Sequence, residues 1–167
     1  MLFCIKVSVF RLTKKLNDSR QVLLKVSKLR KGMGVYMKRV VVMGHGGYAE
    51  GVKQNLEMIV GVSESMYFVD LTKEDDLAAF KTKVEDVLKG FNDEDEVLFV
   101  CDLLGASPFR VAAEFCVSKS GKYYTVAGLN TMALIELSMI EDSELSIEEL
   151  ANRAVETTKT AVAKFPE

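Results

Sequence analysis

The chain has a single histidine, His45, set in the turn Gly44-His45-Gly46-Gly47 directly after the apolar run Val40-Val41-Val42-Met43. Glycines around it free the backbone to take positive φ and to approach a ligand closely. A second turn, Asp102-Leu103-Leu104-Gly105-Ala106-Ser107-Pro108-Phe109, follows another apolar run, Val97–Cys101. An imidazole that donates one nitrogen to a carboxylate has its tautomer fixed, and the other nitrogen is left as a nucleophile. Asp102 is the candidate orienting carboxylate. Ser107 before a proline marks a helix start, where a hydroxyl and unpaired amides suit an anion. His45, Asp102 and Ser107 are thus candidates for nucleophile, orienting partner and phosphate-side donor in phosphoryl transfer through histidine. Each also has a plainer reading, as a structural histidine, a turn cap and a helix N-cap. Two adjacent strand ends carrying all three favour the chemical reading.

Other chemistries fit less well. Gly44-His45-Gly46-Gly47-Tyr48-Ala49 formally matches a dinucleotide fingerprint, and Asp70 closes the next strand as a ribose-binding acid would. A histidine where pyrophosphate would lie, and a chain too short for a substrate domain, weigh against it. His45-Gly46-Gly47 resembles an esterase oxyanion loop, yet the chain has no G-x-S-x-G, and one histidine would have to serve two roles. One histidine and three scattered cysteines, Cys4, Cys101 and Cys116, make no recognisable metal set. No C-x-x-C occurs, and an odd cysteine count argues against a disulfide framework.

The elements that must position these residues alternate. Arg39–Met43 reads as a strand buried on both faces, followed by a helix to about Val60 with Val52, Leu56 and Ile59 on one side. Ser65–Asp70 is predicted as a second strand. Thr72 with Asp75 resembles a capping box ahead of the helical stripe Leu77, Phe80, Val84, Val87, Leu88, which stops at Gly90. Asn92–Glu96 reads as a solvated acidic loop and Val97–Cys101 as the third strand. Ser107, as N-cap with Pro108 at the first helical position, starts a helix to about Val117, and Tyr123–Ala127 is the fourth strand. A helix from about Thr131 to Ile140 follows. Ser146 with Glu149 caps a last helix whose apolar side carries Ile147, Leu150, Ala154, Val155, Ala161 and Val162. This order predicts an α/β fold: a three-layer α/β/α domain on a mostly parallel sheet, with flavodoxin-like strand order. In that order strands one and three are neighbours, and His45 and Asp102 emerge side by side at the carboxyl ends where such sheets place their sites.

The 167 residues make about one domain, 49% hydrophobic and 28% charged, a composition able to bury a core. No apolar run approaches the roughly 20 residues of a membrane-spanning helix. The formal charge of −2 is unevenly spread. Residues 1–36 hold nine basic residues and one acid, Asp18, whereas the remainder holds 13 basic and 23 acidic residues. The expectation is a basic extension, 1–36, outside the domain, 37–167, with Met37 as a candidate start and the first segment a translated leader. A functional arm for an anionic surface and an organelle transit peptide are the other readings of that segment.

Val40-Val-Val-Met-Gly-His-Gly-Gly-Tyr-Ala-Glu-Gly51, Val100-Cys-Asp-Leu-Leu-Gly-Ala-Ser-Pro-Phe109 and Val126-Ala-Gly-Leu-Asn130 resemble a known family. It is the enzyme IIA component of the bacterial sugar phosphotransferase system, of the mannose/fructose/sorbose/N-acetylgalactosamine type. The resemblance runs from about Lys38 to Phe165. It implies that His45 takes a phosphoryl group from HPr and passes it to a histidine of enzyme IIB, with Asp102 orienting His45 and Ser107 at the phosphate-binding helix start. It implies an antiparallel edge strand, a homodimer, and indirect service to the membrane subunits IIC and IID. Enzyme IIB is expected on a separate chain. A cytoplasmic phosphocarrier without cofactor, metal or nucleic-acid partner is the resulting expectation. The phosphoryl-donor subunit of a dihydroxyacetone kinase and a regulatory module controlled by histidine phosphorylation are the alternatives. Ala106 and Arg110 depart from the family's usual glycine and asparagine, which leaves the geometry of that turn open.

Overall fold

The structure, a computed structural model, describes residues 36–140 and 143–166. All but Tyr36 of the basic extension lies outside the described residues. Among these residues four strands, β1 (Lys38–His45), β2 (Met66–Leu71), β3 (Glu96–Cys101) and β4 (Tyr123–Ala127), form one sheet in the order β2-β1-β3-β4. All three pairings are parallel. The antiparallel edge strand implied by the resemblance is not found among the described residues. Among the described residues, five helices connect or follow the strands: α1 (Tyr48–Ile59), α2 (Leu77–Leu88), α3 (Ser107–Ser118), α4 (Thr131–Leu137) and α5 (Ile147–Thr160).

Successive strand residues face opposite sides of a sheet, so an unbroken apolar run feeds two cores at once. Val40, Val42, Leu98, Val100 and Val126 pack with Ala49 and Leu56 of α1 and with the inner faces of α4 and α5. Val41, Met43, Val97, Phe99 and Cys101 pack on the other side with Phe80 and Val84 of α2 and Val111 and Ala112 of α3. The three layers predicted from the alternation are therefore present.

Several local expectations shift. Helix α2 is capped by Asp76, whose side chain accepts the Ala79 amide, rather than by Thr72. Thr72 and Asp75 form a separate turn before it, with the Thr72 amide and hydroxyl both donating to Asp75. Helix α4 stops at Leu137, short of Ile140, and α5 ends before Ala161 and the exposed Val162. The Ser146–Glu149 capping box forms in both directions.

The loop ahead of β3 is not wholly solvated. Asp95 is fully buried and pairs with Arg39 at 3.2 Å. Its carboxylate also accepts the amides of Met37 at 2.8 Å and Asn92 at 3.2 Å. The Arg39 guanidinium donates to the Tyr67 hydroxyl and lies 5.1 Å from the Phe91 ring centroid. A cation at the start of a buried strand needs such a partner.

Candidate functional site

Strand β1 is central, and its carboxyl end is held from both sides. On the β2 side Gly44 is in register with Asp70 and His45 with Leu71. On the β3 side Met43 is in register with Cys101, so His45 and Asp102 leave the sheet together. The Gly46 amide donates to the Leu71 carbonyl at 2.8 Å, and Gly46 itself has φ +65°. That conformation is open to glycine and strained for other residues. Gly44 is needed for a different reason: a Cβ there would lie 2.5–2.9 Å from atoms of the Tyr48 side chain.

His45 and Asp102 meet. Asp102 Oδ2 accepts the His45 backbone amide at 2.8 Å and lies 2.8 Å from Nδ1. Asp102 Oδ1 accepts the Leu103 amide at 2.8 Å. Partial burial pushes the Asp102 carboxyl upward, but the hydrogen bonds from the His45 amide and ring, with that from Leu103, outweigh it and hold it below its ordinary range. An ionised Asp102 makes Nδ1 the protonated nitrogen and leaves Nε2 with the lone pair. The His45 side chain is 45% exposed and that of Asp102 18%, so the ring is open to an approaching group while its anchor is sheltered.

Ser107 is at the same end of the sheet, but one position further into its helix than the sequence suggests. Ala106 is the N-cap, Ser107 the first helical residue, and Pro108 the second. The Arg110 amide already bonds to the Ala106 carbonyl, which closes the first helical turn there. Ser107 makes no hydrogen bond to His45 or Asp102 among the described contacts. At this end of the sheet it stands at the helix start, where its own amide and that of Phe109 lack intrahelical acceptors. Ala106 has φ −76° and ψ 176°, extended backbone that any residue adopts. The positive φ of this turn falls on Gly105, at +76°. The alanine is thus accommodated without backbone strain. Arg110 is exposed.

The third motif positions rather than reacts. Gly128, at φ +73°, returns its amide to the Cys101 carbonyl, and Asn130 caps α4 through the Ala133 amide. Asp70 does not stand free for a ribose. Its Oδ1 accepts the Ala49 amide at 2.7 Å and its Oδ2 the Glu50 amide at 3.2 Å, so it occupies the start of α1. Tyr48 and Phe109 are partly buried packing residues of the two cores. Burial pushes the Cys101 thiol up to about 12 and the Cys116 thiol up to about 11, which makes neither a ready nucleophile. No cluster of three metal-ligating side chains occurs among the described residues.

Residues 39–155 match the family described as the fructose IIA component of the PTS system. The chain belongs to that family. This IIA-family chain is 32% identical over 123 residues to the PTS system mannose-specific EIIAB component of Escherichia coli K12, aligning 74% of itself. It spans 38% of that relative's length. With the PTS system fructose-specific EIIA component of Bacillus subtilis 168 it is 28% identical over 116 residues, 70% of this chain and 78% of the other. Its fold matches the mannose/sorbose specific IIA subunit of the phosphotransferase system from Enterococcus faecalis with a TM-score of 0.68 at 28% identity, covering 78% and 96% of the two chains. The phosphotransferase system component EIIA from Streptococcus agalactiae shares the fold with a TM-score of 0.69 at 22% identity, covering 77% and 98%. All three sequence motifs lie inside the matched IIA segment.

Proposed function

We propose that this IIA-family chain is a phosphocarrier that takes a phosphoryl group from the phosphohistidine of HPr onto Nε2 of His45 and delivers it to a histidine of enzyme IIB. The observation that carries this reading is the 2.8 Å contact between Asp102 Oδ2 and His45 Nδ1, on a side chain that is 45% exposed. In the accepting step the Nε2 lone pair forms the new P–N bond while the donor's P–N bond breaks, and the bonding electrons stay with the donor imidazole. Positive charge develops on the His45 ring, and the Asp102 carboxylate stabilises it while keeping the Nδ1 proton in place. The amides at the start of α3, with the Ser107 hydroxyl, offer donors to the phosphoryl oxygens. Delivery to enzyme IIB is the same step reversed, with His45 as the leaving imidazole.

Family membership supports enzyme IIB as acceptor, IIC and IID as downstream membrane subunits, a homodimer and a cytoplasmic location. No described helix is long and apolar enough to cross a membrane. The order β2-β1-β3-β4 supports the flavodoxin-like reading of the sheet. Residues 37–167 are proposed as the working unit, because Met37 is tied into the fold through the hydrogen bond its backbone amide donates to Asp95. A 37–167 fragment should then accept phosphate as fast as the full chain.

The test is phosphoenolpyruvate-dependent labelling by enzyme I and HPr, comparing the intact chain with His45→Gln. An acid-labile, alkali-stable phosphate confined to the intact chain is the expected result. A folded chain left unlabelled by an active HPr would overturn the proposal.

A further inference from the structure

Gly44, one residue before His45, lacks a side chain for a steric reason. Successive strand residues alternate between faces, so Gly44 continues the side of β1 that carries Val40 and Val42 toward α1. It is buried, and its φ is not positive, so backbone freedom does not explain a glycine here. Space does. A Cβ would lie 2.5 Å from Cδ1, 2.8 Å from Cγ and 2.9 Å from Cβ of Tyr48. The Tyr48 ring takes the volume that a strand side chain would have filled, and it packs against the same core.

The peptide beneath this ring is the one that presents the histidine. Its N–H is the His45 amide, which donates to Asp102 Oδ2 at 2.8 Å, and the imidazole Nδ1 lies 2.8 Å from the same oxygen. At its edges the strand end is tied to both neighbours. The Gly46 amide donates to the Leu71 carbonyl at 2.8 Å, and the Asp102 amide to the Met43 carbonyl at 3.3 Å. Bonds of that kind run in the plane of the sheet and do not hold the peptide against tilting out of it. On the α1 face the contact is the Tyr48 ring. Burial first, then the Asp102 carboxylate, pushes the Tyr48 hydroxyl above its ordinary range, so the phenol stays neutral near that carboxylate. The hydroxyl makes no hydrogen bond among the described contacts, which leaves the ring as the part that acts.

We propose that Tyr48 is a positioning residue for phosphoryl transfer on His45: its ring, seated on the bare Cα of Gly44, braces the Gly44–His45 peptide so that the His45 amide and Nδ1 converge on one oxygen of Asp102. The link to transfer rests on the phosphocarrier reading above. With a side chain of another shape in its place, the peptide tilts and both contacts to Asp102 Oδ2 loosen together. Which imidazole nitrogen carries the proton is set by the hydrogen bond the other makes. A loosened Nδ1 contact therefore releases the tautomer, and with it the lone pair on Nε2.

The test uses the full chain with Tyr48→Leu, which keeps apolar volume without the flat ring, and Tyr48→Phe, which removes only the hydroxyl. His45 is the sole histidine, so its two ring nitrogens are read directly by nitrogen NMR at a pH where the ring is neutral. Initial labelling by phospho-HPr is timed in parallel. The unaltered chain and Tyr48→Phe should both hold the proton on Nδ1 and label at the same rate. Tyr48→Leu should show a mixture of tautomers and label roughly 10-fold more slowly. A purely structural role would lower stability in urea without moving the ring-nitrogen signals of folded molecules. Tyr48→Met, whose flexible chain fills irregular gaps, makes the same comparison if the leucine variant does not fold. A folded leucine or methionine variant with the unaltered tautomer overturns the proposal, and so does a Tyr48→Phe protein that loses it. An unaltered chain that holds its tautomer but is left unlabelled by active phospho-HPr defeats the phosphocarrier reading instead, since the nitrogen signals need no donor.

Discussion

One oxygen of Asp102, Oδ2, receives both the backbone amide of His45 and its ring Nδ1, each at 2.8 Å. A single carboxylate thus sets the position of the residue and the tautomer of its ring. Asp102→Asn should keep the fold, since asparagine matches the shape, but under the proposed phosphocarrier function it loses the charge that would stabilise a phosphorylated ring. A charge-assisted hydrogen bond contributes about 1.5–3 kcal/mol, so labelling of His45 should slow roughly 10- to 100-fold in a rapid-quench experiment. An unchanged rate would remove Asp102 from the mechanism.

Gly44 and Tyr48 are in contact where no side chain fits between them. Gly44→Ala should destabilise the chain by about 1–3 kcal/mol in urea denaturation, as overpacking forces the Tyr48 ring aside. Gly44→Ala with Tyr48→Ala should cost less than the sum of the two single changes, because the approaches to Cγ and Cδ1 are then gone and only the 2.9 Å approach to the Cβ of residue 48 remains. Strict additivity would show that Gly44 is not required by Tyr48.

At the opposite end of the sheet, Arg39 and Asp95 form a buried pair whose side chains are 5% and 0% exposed. Asp95→Ala strands the guanidinium and the amides of Met37 and Asn92. A loss of about 3–5 kcal/mol is expected from denaturant titration. Labelling of His45 per folded molecule should be unaffected, since the pair lies at the amino ends of β1 and β3. Selective loss of labelling without loss of stability would contradict this separation.

Acid should weaken the turn before α2 in a defined window. The hydrogen bond from Lys83, with those from Thr72, lowers the Asp75 carboxyl to about 2 from its ordinary 3.8. A carboxyl with a lowered folded-state pKa contributes stability above the unfolded value, and that contribution is lost as pH falls from about 4 through 2. Thermal melts of the intact chain should therefore fall more steeply over that range than melts of Asp75→Asn. Parallel curves would show that Asp75 is not among the groups responsible.

Periodicity carried most of the architecture. The apolar runs around Val40–Met43 and Val97–Cys101, short and rich in β-branched residues, read as strands buried on both faces, and the capping pair Ser146–Glu149 is local enough to be read directly. Local reading erred by a few residues at two helix starts, and by more where a distant partner decides. Thr72 and Asp75 have the spacing of a capping box, but Asp76, one residue nearer the helix, holds the Ala79 amide. Ser107 has the composition of an N-cap, yet the extended backbone at Ala106 puts the cap one residue earlier. Asp95 lies in a run of acids that looks solvated, and only the return of Arg39 on the neighbouring strand shows that it is buried. The signal was present in the odd placement of an arginine at the head of an apolar strand.

The sequence by itself determined the alternation of strands and helices, and the residue types available for phosphoryl chemistry: one histidine between glycines, one aspartate after a buried strand, one serine before proline. Residue types and short spacings are local properties, and local sterics and hydrophobic periodicity express them without reference to the rest of the chain. Only the tertiary structure decided that β1 and β3 are neighbours, which brings Asp102 to His45 across 57 positions of chain. It also decided that Asp70 closes the start of α1. Both pairings depend on strand order and register, which are set by the packing of two cores at once and leave no mark at either residue alone.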